Sequence, residues 1–321
     1  MKIVFMGTPD FAVPVLQGLI DSYDVIGVVS QPDKKVGRKQ ILEETPTKKL
    51  ANQYHIPVFQ PIKIRTDYQD ILALHPDVII TCAYGQIIPK EILDFPKFGC
   101  INVHASLLPK LRGGAPIHRA LMEGYSKTGI TIMYMDEKMD NGDIISKRET
   151  EILDTDNLES LQNRLSIMGK ELLLETLPSI FSQTNSREKQ DEAEITFAYN
   201  VKREEERIDF SKTAREIFNL IRGLSPSPSA NSILFGEEMK VLDSKISEKK
   251  YENSVCGEIV EITKEGIVVA CGDTSIILTK IKPFGKKEMP AVSYVNGVGK
   301  EKLIGRVFEN AEINGNCSEH S

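Results

Sequence analysis

No stretch of this chain approaches the roughly 18 consecutive apolar residues that a membrane-spanning helix needs. The opening Met1-Lys2-Ile3-Val4-Phe5-Met6-Gly7 enters a strand-like apolar run directly, without the basic region and long apolar region of a secretion signal. A cytoplasmic protein with no membrane association is expected. Cysteine is scarce, with five residues (Cys82, Cys100, Cys256, Cys271 and Cys317) and no Cys-x-x-Cys spacing; three lie in apolar runs where a buried free thiol is the ordinary state. Neither a disulfide framework nor a metal site is expected. A strong excess of one charge is also missing: 40 basic and 46 acidic residues give a net charge of −6, which argues against a protein that coats nucleic acid. Two nucleotide signatures fail as well. The first turn, Gly7-Thr8-Pro9-Asp10-Phe11, lacks the second glycine at which backbone approaches a dinucleotide pyrophosphate, and no Gly-x-x-x-x-Gly-Lys-Ser/Thr occurs.

The chain of 321 residues is 40% hydrophobic and 27% charged, an ordinary globular composition of a length that suits two domains. Its first half alternates strand and helix. Lys2 to Met6, Val25 to Ser30, Pro57 to Phe59, Asp77 to Ala83 and Cys100 to His104 read as strands. Phe11 to Ile20, Thr47 to Tyr54, Thr66 to Leu74 and the segment after Pro116 read as helices. Apolar runs without strict alternation, separated by amphipathic segments, predict an α/β domain built on a Rossmann-like, mostly parallel sheet covered on both faces. Ligands of such sheets bind beyond the carboxyl ends of the strands. Gly7, Tyr84-Gly85 and Asn102 to Pro109 fall at such ends.

After Ile180 the texture changes. Ser182 to Glu194 is polar and charged and reads as a linker. Beyond Ala214 to Ile221, which looks helical, short strands with turn signals dominate: Ile233 to Phe235, Met239 to Leu242, Cys256 to Ile262, Ile267 to Cys271 and Ser275 to Ile281. A small, OB-like β-barrel is expected. The domain boundaries read 1–182 for the first domain, 183–206 for the linker and 207–321 for the barrel.

Two segments carry chemistry. Asn102 and His104 stand two residues apart at the end of a strand, so they point the same way into the space beyond it. Met135 to Asp143 is a loop-like run that offers carboxylates to the same space if the fold brings the segments together. A carboxamide donor, an imidazole and a carboxylate suffice for acyl transfer to an amine. A lone histidine near a strand end is more often a structural hydrogen-bonder, and His55, His75, His118 and His320 are placed in that class. The third feature is a run of six basic residues (Lys34, Lys35, Arg38, Lys39, Lys48 and Lys49) against three acidic ones (Asp33, Glu43 and Glu44). Pro32, Gly37 and Pro46 punctuate it, which predicts a loop rather than a solvated helix face.

The segment Asn102-Val103-His104-Ala105-Ser106-Leu107-Leu108-Pro109-Lys110-Leu111-Arg112-Gly113-Gly114-Ala115-Pro116-Ile117, followed by Asp140-x-Gly142-Asp143, resembles the signature of the folate-dependent formyltransferases. Gly7-Thr8-Pro9-Asp10-Phe11-Ala12, Gln31-Pro32-Asp33, Gly37-Arg38, Val58-Phe59-Gln60-Pro61, Ala83-Tyr84-Gly85-Gln86-Ile87-Ile88-Pro89 and Arg207-Ile208-Asp209-Phe210 are similar to the branch that acts on aminoacyl-tRNA. The resemblance implies transfer of a formyl group from 10-formyltetrahydrofolate to the amino group of methionine on initiator tRNA, without a covalent enzyme intermediate, a metal or an obligate protein partner. It implies Asn102, His104 and Asp140 as the catalytic trio. Ser106, Leu107, Leu108, Pro109, Gly85, Gln86, Ile87, Ile88 and Asp143 are implied around the folate. The basic insertion would enter the acceptor stem of the tRNA with Arg38 as its key residue and Lys34, Lys35 and Lys39 beside it, and Phe11 and Tyr84 would line the methionine pocket. The 207–321 domain is implied to bind tRNA.

The chain departs from the family pattern in two places. The loop continues Leu42-Glu43-Glu44-Thr45-Pro46-Thr47-Lys48, with one proline fewer and an added acid, and Ser225-Pro226-Ser227-Pro228-Ser229-Ala230 stands where a tryptophan is usual. Two other readings share part of this evidence: an enzyme that formylates an amino sugar on a nucleotide, and a non-catalytic tRNA-binding protein. The basic insertion disfavours the first and the intact trio the second.

Overall fold

The computed structural model describes residues 1–37 and 40–309. Arg38 and Lys39 lie outside the described residues. The first half supplies β1 (Lys2–Gly7), α1 (Val13–Ser22), β2 (Asp24–Val29), β3 (Lys34–Val36), β4 (Ile41–Glu43), α2 (Pro46–Gln53), β5 (Val58–Phe59), α3 (Gln69–Leu72), β6 (Val78–Cys82), α4 (Lys90–Leu93) and β7 (Cys100–His104). They are followed by α5 (Pro116–Met122), β8 (Lys127–Tyr134), β9 (Ile144–Glu151) and α6 (Leu158–Phe181).

Seven of these strands form one sheet in the order β5-β2-β1-β6-β7-β8-β9. The first five run parallel, while β8 and β9 are antiparallel additions. Sequence reading leaves β8 and β9 unassigned, so the sheet is longer and more mixed at one edge than its strand signals indicate. β6, Val78-Ile79-Ile80-Thr81-Cys82, is buried at every position, as expected of a β-branched strand covered on both faces. Strand order reverses between β1 and β6. Their carboxyl ends, with that of β7, therefore open on the crevice where ligands of such sheets bind.

Two local expectations are corrected. The basic run is not a loop throughout: Lys34 and Lys35 stand in β3, which pairs antiparallel with β4 to make a hairpin, and Lys48 and Lys49 stand in α2. Ion pairs account for part of this order, since Lys48 Nζ is 2.6 Å from Asp33 and Lys49 Nζ is 2.8 Å from Glu43. The helix expected over Thr66 to Leu74 contracts to the four residues of α3, with Thr66 and Asp67 instead in a turn closed on the Lys63 carbonyl.

Contacts divide the chain into two units. One comprises Met1–Ile117, Ser126–Leu153 and Ser160–Asn200; the other comprises His118–Tyr125, Asp154–Glu159 and the chain from Val201 onward. The first unit thus extends through much of the polar stretch that reads as a linker. Glu188 pairs with Ile144, and Thr196 and Ala198 bond to Arg112 and Ala115.

The second unit holds α7 (Ala214–Leu224), β10 (Ala230–Leu234), β11 (Glu237–Ser247), β12 (Ile259–Ile262), β13 (Ile267–Ala270), β14 (Ser275–Pro283), β15 (Met289–Pro290), α8 (Ala291–Val298) and α9 (Lys300–Leu303). Thr213 caps α7 reciprocally with Glu216, each side chain accepting from the other's backbone N–H. The strands form an antiparallel sheet, β10-β11-β14-β13-β12, with β15 on β14. Its two free edges meet the same short segment: Glu309 N–H donates to Ile233 of β10, and Phe308 N–H donates to Gly257 just before β12. The sheet is thereby closed around a core that includes Phe210, Val241, Ile276 and Phe308, which accords with the expected small barrel.

Candidate active site

β7 ends on the residues singled out for chemistry. Thr81, in the adjacent β6, donates its hydroxyl hydrogen to Asn102 Oδ1 at 2.9 Å. That bond turns the amide so that Nδ2 faces Asp140, whose Oδ1 lies 3.3 Å away. His104 is 5% exposed, and its Nε2 lies 3.0 Å from the Leu111 carbonyl oxygen. A carbonyl only accepts, so Nε2 carries a hydrogen, and in the neutral imidazole the lone pair is on Nδ1. Nδ1 faces Asp140 Oδ1 at 3.6 Å. The imidazole is thus oriented as a base whose protonated form has a carboxylate beside it.

The loop after β7 builds this orientation. Ser106 Oγ donates to the Lys110 carbonyl at 2.6 Å, and Thr131 of β8 bridges the Ser106 carbonyl and the Leu108 N–H. Leu111 adopts a positive φ of 60°, and its carbonyl meets the imidazole.

Asp140 also has a positive φ, 49°, a conformation costing on the order of 1 kcal/mol for a non-glycine residue that its surroundings must offset. Gly113 N–H donates to Asp140 Oδ2 at 2.8 Å, and Gln190 Nε2 donates to the carbonyls of Asp140 and Gly142 at 2.8 and 2.9 Å. Gln190 Oε1 in turn accepts two bonds from the buried Arg112, at 3.0 and 2.8 Å; a third Arg112 bond goes to Asn141 Oδ1. Gly142 has no alternative at its position, because a Cβ there would stand 1.9 Å from the Tyr134 carbonyl oxygen.

The sequence-predicted residues therefore divide. Asn102, His104 and Asp140 converge, although they come from segments almost forty residues apart. Ser106 to Pro109 form the turn that holds the imidazole's partner, and Leu108 is fully buried. Gly85 to Ile88 follow β6: Gln86 is bonded to Gln31, Pro61 and Ile64, Ile88 is buried, and Ile87 is 65% exposed. Asp143 pairs with Arg187 at 3.0 Å. Phe11 and Tyr84 are buried at 6% and 4% exposure, and the Tyr84 hydroxyl has no hydrogen-bond partner among the described residues; burial pushes its pKa up to about 12. Lys34 and Lys35 are exposed on β3.

Thr81, Arg112 and Gln190 escape sequence reading. Thr81 is the one hydroxyl in an otherwise apolar strand, and that exception is the signal that marks it. Gln190 sits in a polar stretch indistinguishable from a linker.

The comparisons with known proteins follow the same division of the chain. Residues 1–177 match the family described as formyl transferase, and residues 200–299 match formyl transferase, C-terminal domain. The chain belongs to the formyl transferase family. Curated relatives of this formyltransferase include the methionyl-tRNA formyltransferase of Bacillus subtilis (strain 168), 52% identical over 94% of this chain and 96% of that protein. The methionyl-tRNA formyltransferase of Bacillus mycoides (strain KBAB4) is 52% identical over 97% of this chain and 100% of that protein. Among solved structures, the fold is similar to an N-formyltransferase from Helicobacter canadensis in complex with folinic acid and dTDP-3-aminofucose. That likeness has a TM-score of 0.66 and 19% identity over 88% of this chain and 100% of that one.

Proposed function

We propose that this formyltransferase moves the formyl group of 10-formyltetrahydrofolate to the α-amino group of methionine carried by initiator tRNA, in the cytoplasm, as a step of translation initiation. The observation that carries the reading is the convergence of Asn102 Nδ2, His104 Nδ1 and Asp140 Oδ1 within 3.6 Å at the end of β7, in a chain whose relatives over nearly its whole length are named for that substrate.

The folate co-substrate supplies the formyl group. The exposed Ile87 and the positive-φ Gly85 at the end of β6 fit a flat group seated against that loop, while the buried Phe11 and Tyr84 would line the methionine pocket. Gly85 to Ile88, Ser106 to Pro109 and Asp143 would border it. Asn102 presents an N–H donor for the negative charge that develops on the formyl oxygen when an amine attacks, a contribution of about 10²–10³ in rate for one such donor. Thr81 fixes the amide so that Nδ2, on the side of Asp140, is the end that donates. An aminoacyl ester amine titrates near or below the roughly 7.7 of a free α-amino group, so it is partly neutral at physiological pH. His104 Nδ1 then accepts its proton as the new C–N bond forms, and Asp140 stabilises the resulting imidazolium; when the tetrahedral adduct collapses, the bond from the formyl carbon to N10 breaks and the imidazolium returns the proton to N10 of the departing tetrahydrofolate. No nucleophile of the chain takes part.

The hairpin β3–β4 with Lys34 and Lys35, together with Arg38 and Lys39, would contact tRNA phosphates, and the second unit would hold the rest of the tRNA. Acceptor choice tests the reading. Wild-type protein offered methionyl initiator tRNA and a nucleotide-linked amino sugar in equal amounts should formylate the tRNA; product on the sugar alone would transfer the chain to the amino-sugar branch.

A further inference from the structure

Phe197 and Tyr199 are stacked on each other and yet open to solvent, at 47% and 63% exposure, with ring centroids 5.7 Å apart and planes within 13°. Aromatic rings of this size ordinarily supply buried area, and a pair held face to face at the surface is an apolar platform rather than scattered exposure. Residues two apart on an extended segment share a face, which explains how the two rings come to align. The segment beneath them is anchored: Arg112 N–H donates to the Thr196 carbonyl at 2.9 Å, Ala198 N–H to the Arg112 carbonyl at 2.7 Å, and Ala115 N–H to the Ala198 carbonyl at 3.0 Å.

The anchor points belong to the active-site loop. Gly113, between them, is the residue whose N–H holds Asp140. A Cβ on Gly113 would come within 2.7 Å of the Ala198 carbonyl oxygen, and one on Gly114 within 2.4 Å of the Asn200 side chain. The two glycines therefore let the aromatic segment lie directly against the loop. The platform is one hydrogen-bonded rung from the catalytic carboxylate, and Lys110, half exposed, stands on the same loop.

From this placement we propose that Phe197 and Tyr199 stack an unpaired base of the acceptor end of the aminoacyl-tRNA, and so guide the methionyl ester toward His104. The proposal rests on tRNA being the acceptor. A single-stranded end beside the ester is the part of that substrate whose bases are free to stack, and stacking accepts any base because each has a π face. The folate is not the occupant, since the residues assigned to it, Gly85 to Ile88, Ser106 to Pro109 and Asp143, are not those the aromatic segment bonds to, which are Leu111, Arg112 and Ala115.

The test uses the full chain and methionyl initiator tRNA. The Phe197→Ala/Tyr199→Ala variant should raise the KM for the tRNA about tenfold, the expected loss for one stacked base, with kcat and the KM for the folate unchanged. Phe197→Tyr should restore the KM. The dependence of KM on salt should keep its slope, because no phosphate contact is removed. A second readout does not depend on turnover: 2-aminopurine placed in turn at each unpaired acceptor-end position should be quenched by wild type at one of them and not by the double variant. The chain has no tryptophan to obscure that signal.

Unchanged KM and unchanged quenching in a folded double variant would overturn the platform while leaving the formyltransferase reading intact. Wild type that turns over no tRNA would remove that reading, and the platform with it. A wild-type dimer that the double variant loses, with tRNA kinetics unaltered, would assign the rings to a second copy of the chain and also overturn the proposal.

Discussion

Replacing Gln190 by leucine should damage the site without touching any catalytic side chain. The carboxamide makes four bonds at once, donating to the carbonyls of Asp140 and Gly142 and accepting twice from Arg112. Leucine fills a similar volume and satisfies none of them. Two neutral bonds at about 1 kcal/mol each and the two Arg112 bonds, which share one oxygen and are taken together as a single charged interaction of about 1.5–3 kcal/mol, put the loss near 4 kcal/mol. For a unit of this size that corresponds to a fall of about 10 °C in Tm. The kinetic effect is separate. Asp140 keeps its positive φ only while its neighbours hold it, so the released loop relaxes and the carboxylate drifts from His104. A displacement of about 1 Å at such a position costs on the order of 10² in rate. Assays well below the variant's Tm should therefore show kcat down about a hundredfold, with the KM for folate little changed. Gln190→Glu sharpens the test: its carboxylate keeps Arg112 as a partner but sets oxygen against two carbonyls, so stability should recover more than kcat. Gln190→Leu with wild-type kcat would refute the reasoning, because Asp140 would then owe its position to Gly113 alone.

Three further outcomes follow from the same geometry. Asn102→Leu should lower kcat by about 10²–10³ with the tRNA and folate KM values unchanged, as steady-state kinetics on both substrates would show. Gly142→Ala should fail to fold or lose most activity, because its Cβ would overlap the Tyr134 carbonyl; soluble expression and circular dichroism report on the first and turnover on the second. Burial pushes the Asp33 carboxyl up, but hydrogen bonds from Lys48 and Gln60 and the Lys48 charge outweigh it and hold the pKa below the usual range. Its folded pKa is depressed, so the pair's contribution is present above about pH 4 and is lost as the pH falls through the lowered value. Urea midpoints measured from neutral pH into acid should fall less steeply in Asp33→Asn than in wild type.

The amino-acid order reveals the parallel half of the fold because its strands are unambiguous. Val78 to Cys82 and Cys100 to His104 are largely apolar and rich in β-branched residues, and both end where turn residues begin. β8 and β9 are harder to read. Lys127 to Tyr134 opens on a polar pair and carries a glycine, and Ile144 to Glu151 alternates charge with short polar side chains. Their pairing is a property of the sheet edge they join. In the site, Asn102 and His104 declare themselves by their two-residue spacing at a strand end. Asp140 shares the run from Met135 to Asp143 with three other acids, Asp136, Glu137 and Asp143; its position in the run does not single it out, and the family resemblance and the fold do. Gln190 and the Phe197–Tyr199 pair lie in or beside a stretch whose composition is that of a linker. Their roles arise from hydrogen bonds to residues some fifty to eighty-five positions away, which no local pattern encodes.

The central claim is that this chain formylates methionyl-tRNA through Asn102, His104 and Asp140. The most direct measurement follows labelled formyl-methionyl-tRNA formed from 10-formyltetrahydrofolate by wild type and by Asn102→Ala, His104→Ala and Asp140→Ala variants that remain folded. The account expects rapid product from wild type and near-complete loss in each variant with tRNA binding retained. Wild-type rates in the His104→Ala and Asp140→Ala variants, or no formylated tRNA from wild type, would contradict it.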